Sequence, residues 1–146
     1  MSEFELRPAV PDDLAALCRL EMESFDDAWS APSLQAALED PRYVVLVSGP
    51  LGRPGGYILG WTVSDEGEIA RLAVTPSQRR RGLGRALLEA CRVEMLKRGA
   101  VAIYLDVRAT NAAAQALYLD HGFEVVARRR NYYPNGDDAV LMRWAE

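Results

Sequence analysis

The sequence predicts one domain of the α/β (α+β) class, in which flanking helices cover a mixed central sheet of about seven strands. Three observations support this fold class. Short apolar runs bounded by turn residues indicate strands, and other segments carry apolar residues at helical spacing. These segments follow the order β-α-α-β-β-β-α-β-α-β-β, with no internal repeat. A length of 146 residues also suits one domain with one sizeable core.

The first half of the chain is predicted to contain two helices and four strands. A helix capped by Asp12 or Asp13 carries an apolar stripe of Leu14, Leu17, Cys18 and Phe25. A second helix begins at Ser30, which is a suitable N-cap followed by Pro32 in the first turn. The four predicted strands are Phe4–Pro8, Tyr43–Val47, Tyr57–Ser64 and Glu68–Thr75.

The second half is predicted to contain two further helices and three strands. From Gly82 onwards the apolar residues have a helical period, and their stripe comprises Leu83, Leu87, Leu88, Cys91 and Met95. The other segments are a strand Val101–Val107, a helix Ala112–Asp120, and closing strands Phe123–Arg130 and Ala139–Trp144 around a turn at Asn135-Gly136. The strand-helix-strand unit over residues 68–107 predicts a right-handed crossover, and so a parallel strand pair in the middle of the sheet.

Composition excludes several classes of protein. No apolar run approaches the ~18 residues of a membrane span, and the N-terminus lacks a secretory signal, so we expect a cytoplasmic protein with no membrane partner. Two cysteines and one histidine cannot form a disulfide framework or a four-ligand zinc site, so no metal is expected. Cys18 and Cys91 are interpreted as buried thiols.

The charges are segregated along the chain. Residues 1–40 carry two basic and ten acidic side chains, whereas the remainder carries 15 basic and 11 acidic ones. The net charge of −4 argues against nucleic acid as a partner. The segregation fits two ligands of opposite charge, although solvated faces of either sign would also produce it.

A segment with two glycines and four arginines joins a predicted strand to the helix after it. Gly82 and Gly84 open the start of that helix, whose free backbone N–H groups form an anion site surrounded by Arg79, Arg80, Arg81 and Arg85. The segment lacks the three glycines of a dinucleotide fingerprint and the lysine of a P-loop. It therefore predicts a phosphate or pyrophosphate site of another kind, or else a solvated basic turn.

Two blocks of this sequence resemble the GNAT N-acetyltransferases. Arg79-x-x-Gly82-x-Gly84, after a strand ending Leu72-Ala73-Val74, resembles their acyl-CoA pyrophosphate loop, and residues 111–123 resemble their second conserved block. Three further stretches, 28–30, 105–111 and 129–139, are similar to the RimI-type ribosomal-protein alanine N-acetyltransferases. The resemblance covers essentially the whole chain, and implies a single N-acetyltransferase domain over residues 1–146.

The resemblance implies acetyl-CoA as co-substrate and assigns roles to individual residues. Tyr118 becomes the general acid near the CoA sulfur, although plain core packing is an alternative for a tyrosine on an apolar helix face. Asn111 binds the cofactor, and the backbone of Leu72, Ala73 and Val74 pairs with the pantetheine arm. The pyrophosphate loop comprises Arg79, Arg80, Arg81, Gly82, Leu83, Gly84 and Arg85.

Two carboxylates are candidates for the general base. The RimI-type enzymes have a glutamate where this sequence has Asp106, which is one methylene shorter and would act through a water or only hold the amine. Strand alternation places Asp106 on the face of Ala102 and Tyr104, so it can point into a cleft. Glu68 matches the basic glutamate of histone-type GNAT enzymes, although it could also be an exposed strand end. Both remain candidates, with a slight preference for Glu68.

The resemblance also implies a peptide substrate. Trp29, Tyr132 and Tyr133 are expected to contact it, although Arg128–Arg130 with the two tyrosines could instead stack on single-stranded RNA. The acidic residues Glu21, Glu23, Asp26 and Asp27 are expected to attract a basic protein tail. The expected activity is acetylation of a protein N-terminus, most similar to alanine of a small-subunit ribosomal protein. Alternatives are another protein or small amine, or an acyl-CoA-binding sensor without turnover.

Overall fold

A computed structural model describes residues 4–51 and 54–146, and these residues form seven strands and four α-helices in the predicted order. The strands are β1 (Leu6–Pro8), β2 (Tyr43–Ser48), β3 (Gly56–Val63), β4 (Glu66–Val74), β5 (Ala102–Arg108), β6 (Glu124–Arg129) and β7 (Ala139–Ala145). The helices are α1 (Leu14–Ser24), α2 (Ala31–Glu39), α3 (Leu83–Lys97) and α4 (Ala112–Asp120). Short 3₁₀ turns, Pro11–Asp13 and Pro76–Gln78, precede α1 and α3.

The strands form one mixed sheet in the order β1-β2-β3-β4-β5-β7-β6. Its central pair, β4 and β5, is parallel, and every other neighbouring pair is antiparallel. Helix α3 connects β4 to β5, as the strand-helix-strand pattern predicts. The predicted mixed α/β sheet with a parallel pair at its centre is confirmed.

Two apolar cores lie on opposite faces of the sheet. The larger core contains the predicted stripe of α3, with Leu87, Cys91 and Met95 fully buried, and the smaller one packs under α1 and α2. Burial raises the pKa of the Cys91 thiol to about 12, so this cysteine is inert packing. Cys18 is only half-buried, contrary to the expectation of two buried thiols.

The start of α1 differs from the predicted capping. Asp13 stands at the N-cap position, but its carboxylate accepts a hydrogen bond from the Val10 N–H (2.8 Å) and two from the Arg7 guanidinium (2.8 Å each). The Arg7 hydrogen bonds hold the pKa of Asp13 below its usual value. Asp13 therefore ties α1 to β1 instead of capping the helix. Ser30 does cap α2, because its side chain accepts from the Ser33 N–H at 3.3 Å.

Strand β4 carries a β-bulge at Ala70. Leu59 of β3 pairs with Arg71 and the next residue, Gly60, pairs with Ile69, so one residue of β4 has no partner. Packing shows the same irregularity, since Ile69 and Leu72 both contact the α3-side core although they are three residues apart. A Cβ on Gly60 would lie 2.3 Å from the Glu68 carbonyl oxygen, so this close approach requires glycine.

Candidate active site

The central strands separate beside the bulge and leave a gap in the sheet. Strands β4 and β5 pair only over residues 66–69 and 102–105, although both continue for several residues beyond. The gap belongs to a cavity of about 540 Å³. Its walls come from β4, β5, the α1–α2 loop, the start of α4 and the β6–β7 loop, and they include Glu68, Asp106 and Tyr118. The separation therefore brings all three predicted catalytic side chains to one cavity.

The backbone of β4 has open hydrogen-bonding groups along this gap. The Thr75 N–H donates to the Gly55 carbonyl at 2.8 Å, which turns the backbone groups of Thr75 and Ala73 towards β3. By alternation, those of Leu72 and Val74 face the side where β5 has moved away. Arg79 Nε donates to the Val74 carbonyl at 3.0 Å. An extended ligand arm can therefore pair with the backbone groups of Leu72 and with the Val74 N–H as an additional strand would, while Arg79 occupies the Val74 carbonyl.

Glu68 and Asp106 face the cavity from the same side of the sheet. Glu68 lies opposite Tyr104 in the parallel register, and Asp106 is two residues further along β5. Burial, and then the charge of Asp106, raise the pKa of Glu68 above its ordinary value. Asp106 Oδ1 is buried without a hydrogen bond in the part of the chain that the structure describes, and Arg129 Nε is 3.5 Å away. The two carboxylates are thus neighbours, and the raised pKa of Glu68 suits a general base.

Tyr118 reaches the cavity from the opposite face. Its ring lies in the α3-side core, with its centroid 5.7 Å from that of Phe123. Burial raises the pKa of Tyr118 well above its ordinary value, so the phenol stays protonated. Leu105 and Val107 pack in this same core, so Asp106 between them must point the other way. The cavity therefore passes through the sheet, with a protonated phenol on one side and two carboxylates on the other.

The segment before α3 has the geometry of an anion site. Gly82 is the N-cap in the left-handed region (φ 86°), where no side chain caps the helix, and the first helical hydrogen bond runs from Ala86 N–H to the Gly82 carbonyl. The N–H groups of residues 83–85 therefore precede the hydrogen-bonded turns. Exposed arginines surround them: Arg79, Arg80, Arg81 and Arg85. The strand-to-helix turn provides what a pyrophosphate requires.

Comparisons with known proteins agree with this geometry. Residues 14–123 match the model of the acetyltransferase (GNAT) family, which covers most of the chain. The chain belongs to the GNAT acetyltransferase family. It is therefore an acetyl-CoA-dependent N-acetyltransferase, as the sequence motifs predicted.

Two curated GNAT relatives and one crystal structure are similar to this chain over most of its length. The [ribosomal protein bS18]-alanine N-acetyltransferase of Escherichia coli K12 is 39% identical over 133 residues, which are 89% of each chain. The N-alpha-acetyltransferase RimI of Mycobacterium tuberculosis is 39% identical over 140 residues, covering 90% of this chain and 85% of its own. The crystal structure of the E. coli ribosomal-protein-S18-alanine N-acetyltransferase superposes with a TM-score of 0.88 at 35% identity, covering 97% of this chain and 93% of that one.

Asn111, the residue expected to bind the cofactor, also has a structural role in this GNAT fold. Its side-chain oxygen accepts a hydrogen bond from the Ala114 N–H at 3.1 Å and so caps α4, the helix that carries Tyr118. Asn111 lines the cavity, and its amide nitrogen forms no hydrogen bond with the residues that the structure describes. Cofactor binding by Asn111 remains a prediction. Separately, Asn111 caps and so positions the helix that carries the proposed acid.

A buried ionic network supports the α1–α2 loop of this GNAT cavity, and sequence reasoning missed it. Glu21 was expected on an acidic surface, but its side chain is fully buried. It accepts hydrogen bonds from the Tyr57 hydroxyl and from the Trp29 N–H (2.7 Å), and Arg71 Nε lies 3.2 Å away. Burial raises the pKa of Glu21. Glu21 therefore fixes the loop from inside and cannot attract a substrate tail.

Trp29 stands behind the cavity wall and does not line the cavity. The Arg71 guanidinium lies between, 4.3 Å from the Phe25 ring centroid and 5.7 Å from that of Trp29. Arg71 itself lines the cavity and donates to the Asp27 carbonyl at 2.6 Å. Substrate contact by Trp29 stays a prediction, and in the structure Trp29 contacts Arg71, which does line the cavity.

Tyr132 and Tyr133 line the cavity on the side of the β6–β7 loop, where the sequence predicted a substrate-gripping loop. Their rings meet edge to face at 5.1 Å. Arg108 stacks on Tyr133 (4.1 Å) and its guanidinium pairs with Asp26 (2.6 Å) and Asp137 (3.1 Å). Burial raises the pKa of Tyr133 to about 12, with a further contribution from Asp106. Arg108 thereby joins the two loops that wall the cavity.

Replacement of Gly84 by aspartate is expected to abolish CoA binding. A Cβ on Gly84 would make only ordinary contacts, 3.7 Å to Leu117 Cδ2 and 3.9 Å to Val74 Cγ2, so the fold accepts a side chain there. The added carboxylate would put a negative charge in the first turn of α3, next to the N–H groups meant for a phosphate, and repel the phosphate. Calorimetric titration with CoA checks this, with Gly84→Ala as the uncharged control. Unchanged CoA affinity in Gly84→Asp would disprove the assignment of the loop.

Proposed function

We propose that this GNAT enzyme acetylates the N-terminal alanine of ribosomal protein bS18, using Glu68, Asp106 and Tyr118 as its catalytic groups. The proposed substrate rests on one observation, the 39% identity over 89% of both chains to the E. coli enzyme named for this reaction. The observation that supports the catalytic groups is the cavity that holds all three of them. A ribosomal protein as substrate implies a cytoplasmic reaction. Within the described residues no helix is long and apolar enough to cross a membrane.

The cofactor side of the proposed reaction uses the face of α3 and α4. The arginine-rich turn and the N-terminus of α3 hold the pyrophosphate, the backbone of Leu72 and Val74 pairs with the pantetheine arm, and Ala73 lies between them. This arrangement leads the thioester into the gap between β4 and β5. The neutral amine attacks the thioester carbonyl there, a carbon–nitrogen bond forms and the carbon–sulfur bond breaks. Tyr118, which burial keeps protonated, donates its proton to the departing thiolate.

The acceptor side uses the opposite face. The α-amine must lose a proton to become the nucleophile, and Glu68, with its raised pKa, takes that proton directly or through one water. Asp106 holds the amine by charge and keeps the proton affinity of Glu68 high. Tyr132 and Tyr133 form the wall against which the first residues of the peptide lie.

Turnover of defined peptides tests this function. A synthetic peptide with the N-terminal sequence of bS18 from the same organism should release free CoA thiol in stoichiometric amounts with N-terminal acetylation, measured by thiol titration and mass spectrometry. The same peptide already acetylated at its α-amine is the matched control and should release no thiol. Release with the free peptide alone would establish N-terminal acetylation.

Two alternative functions, both considered in the sequence analysis, predict different results in the same assay. A non-catalytic acyl-CoA sensor would bind CoA without releasing thiol from acetyl-CoA in the presence of any peptide. An acetyltransferase for another protein or a small amine would ignore the bS18 peptide but accept a different amine, such as a lysine side chain or a polyamine. Either pattern would overturn the bS18 proposal.

A further inference from the structure

A second cavity lies beside the catalytic cavity on the acceptor face of the sheet. Its volume is also about 540 Å³, and it is walled by the tip of the β3–β4 hairpin, by β5, and by residues of β6 and β7. The two cavities share Trp61 and Glu68 as lining residues. A peptide with its amine at Glu68 can therefore continue into the second cavity without leaving this face.

The second cavity combines an apolar floor with an acidic rim. Trp61, Val63 and Leu141 supply apolar surface, and Val63 is 57% exposed. Asp65 and Glu66 stand at the rim, and neither forms an ion pair within residues 4–51 and 54–146. An apolar floor beside unneutralised carboxylates matches a side chain with an aliphatic stem and a cationic head.

The basic residue of the second cavity does not neutralise this rim. Arg129 also lines the cavity, but its Nε lies 3.5 Å from Asp106 Oδ1 and its guanidinium stacks on Tyr132 at 5.4 Å. Its charge is therefore directed to the catalytic carboxylate. The nearby Arg143 is engaged with the hydroxyl of Tyr104, another lining residue, to which its Nε donates at 3.0 Å. The outer part of the cavity carries the carboxylates of Asp65 and Glu66, which favour a cationic ligand.

We propose that the second cavity is the subsite for the residues that follow the acetylated N-terminus, and that it selects an arginine or lysine among them. The aliphatic stem lies on Trp61 and Val63, and the charged head meets Asp65 and Glu66. This inference rests on the proposed N-terminal acetylation, because it requires a peptide amine at Glu68. Asp65 precedes Glu68 by three residues, which is about 10 Å of strand, so an extended peptide reaches the rim within its second to fourth residue.

Peptide kinetics with paired substitutions test the subsite. Alanine-leading peptides would carry arginine or glutamine at position 2, 3 or 4 in an otherwise neutral sequence. The unmodified enzyme should show a kcat/KM about fivefold or more higher for arginine at one of these positions. In the double variant Asp65→Asn/Glu66→Gln, the KM for the arginine peptide should rise until the preference for arginine is lost. The kcat for the arginine peptide and the kinetic constants for the glutamine peptide should not change.

Two further variants separate a local subsite from other causes. Asp12→Asn/Glu39→Gln removes the same formal charge from exposed positions elsewhere, and should keep the preference for arginine. Glu66→Lys should transfer the preference to a glutamate-containing peptide, a gain that a misfolded variant would not show.

Four results would contradict the subsite. They are equal rates for arginine and glutamine peptides at all three positions, equal losses on all peptides in the rim variant, an equal loss of preference in the distant control, and no gain for the glutamate peptide in Glu66→Lys. Absence of turnover on every peptide would instead overturn the proposed function, and the subsite with it.

Discussion

Tyr118→Phe is expected to lower kcat by roughly 10²–10⁴-fold with little change in CoA affinity. The substitution removes one hydroxyl and keeps the ring, which packs against Phe123 in the α3-side core, so the fold should tolerate it. The hydroxyl is the proton donor proposed for the thiolate, and its loss acts on the transition state. Steady-state kinetics and calorimetry with CoA measure the two effects.

Tyr43→Phe is the matched control for this prediction. Tyr43 packs against Trp61 with a ring centroid distance of 5.4 Å, and it does not line the catalytic cavity. Removal of its hydroxyl should leave kcat unchanged. A Tyr118→Phe enzyme with a kcat within threefold of the parent would show that Tyr118 is a packing residue, the alternative that its apolar helix face also supports.

Glu68→Gln is expected to lower kcat by about 10²–10⁴-fold and to remove the acidic limb of the pH–rate profile. Glu68 accepts a proton only when it is ionised, so activity rises as pH increases through its pKa. Because burial and Asp106 raise that pKa, the limb should lie above the ordinary range of a glutamate. Measurement of kcat against pH for parent and variant checks both the size and the position of the effect.

Asp106 variants provide the discriminating comparison. If Glu68 is the base, Asp106→Ala removes a neighbouring negative charge, so the limb should shift to lower pH while the peptide KM rises. If Asp106 is the base instead, Asp106→Ala should reduce kcat strongly and Asp106→Glu should restore it by recovering the reach of the longer side chain. Full kcat and the parental pH profile in both Glu68→Gln and Asp106→Ala would reject a carboxylate base and leave deprotonation to solvent.

The order of elements was predictable because each segment carries its own local signal. A few neighbouring residues are enough to predict each of these features: the apolar stripe of α3, the Ser30 cap, and the turns at Gly82 and Gly136. The same holds for the anion site, since an arginine-rich turn and a helix start are adjacent in sequence. The family resemblance then supplied the proposed roles of residues that lie far apart, such as Glu68 and Tyr118.

Features that depend on distant contacts were not predictable. Glu21 lies on a helix with other acidic residues nearby in sequence. No neighbouring residue indicates that Glu21 is buried against Tyr57 and Arg71. The bulge at Ala70 was also missed, because its cause lies in the pairing with Gly60 of the neighbouring strand. Aspartate is a common helix N-cap, but the Asp13 carboxylate binds the Arg7 guanidinium of the first strand instead of capping α1.

The gap between β4 and β5 also bears on how such an enzyme diverges. Because the cavity passes through the sheet, the proposed acyl-donor groups and the proposed acceptor groups occupy opposite faces and are joined by the strands between them. Substitutions in the α1–α2 loop, the β3–β4 hairpin or the β6–β7 loop can retune acceptor choice while the turn before α3 stays intact. The donor and acceptor halves of the protein are thus free to evolve at different rates, and a duplicated copy can acquire a new acceptor without rebuilding its thioester site.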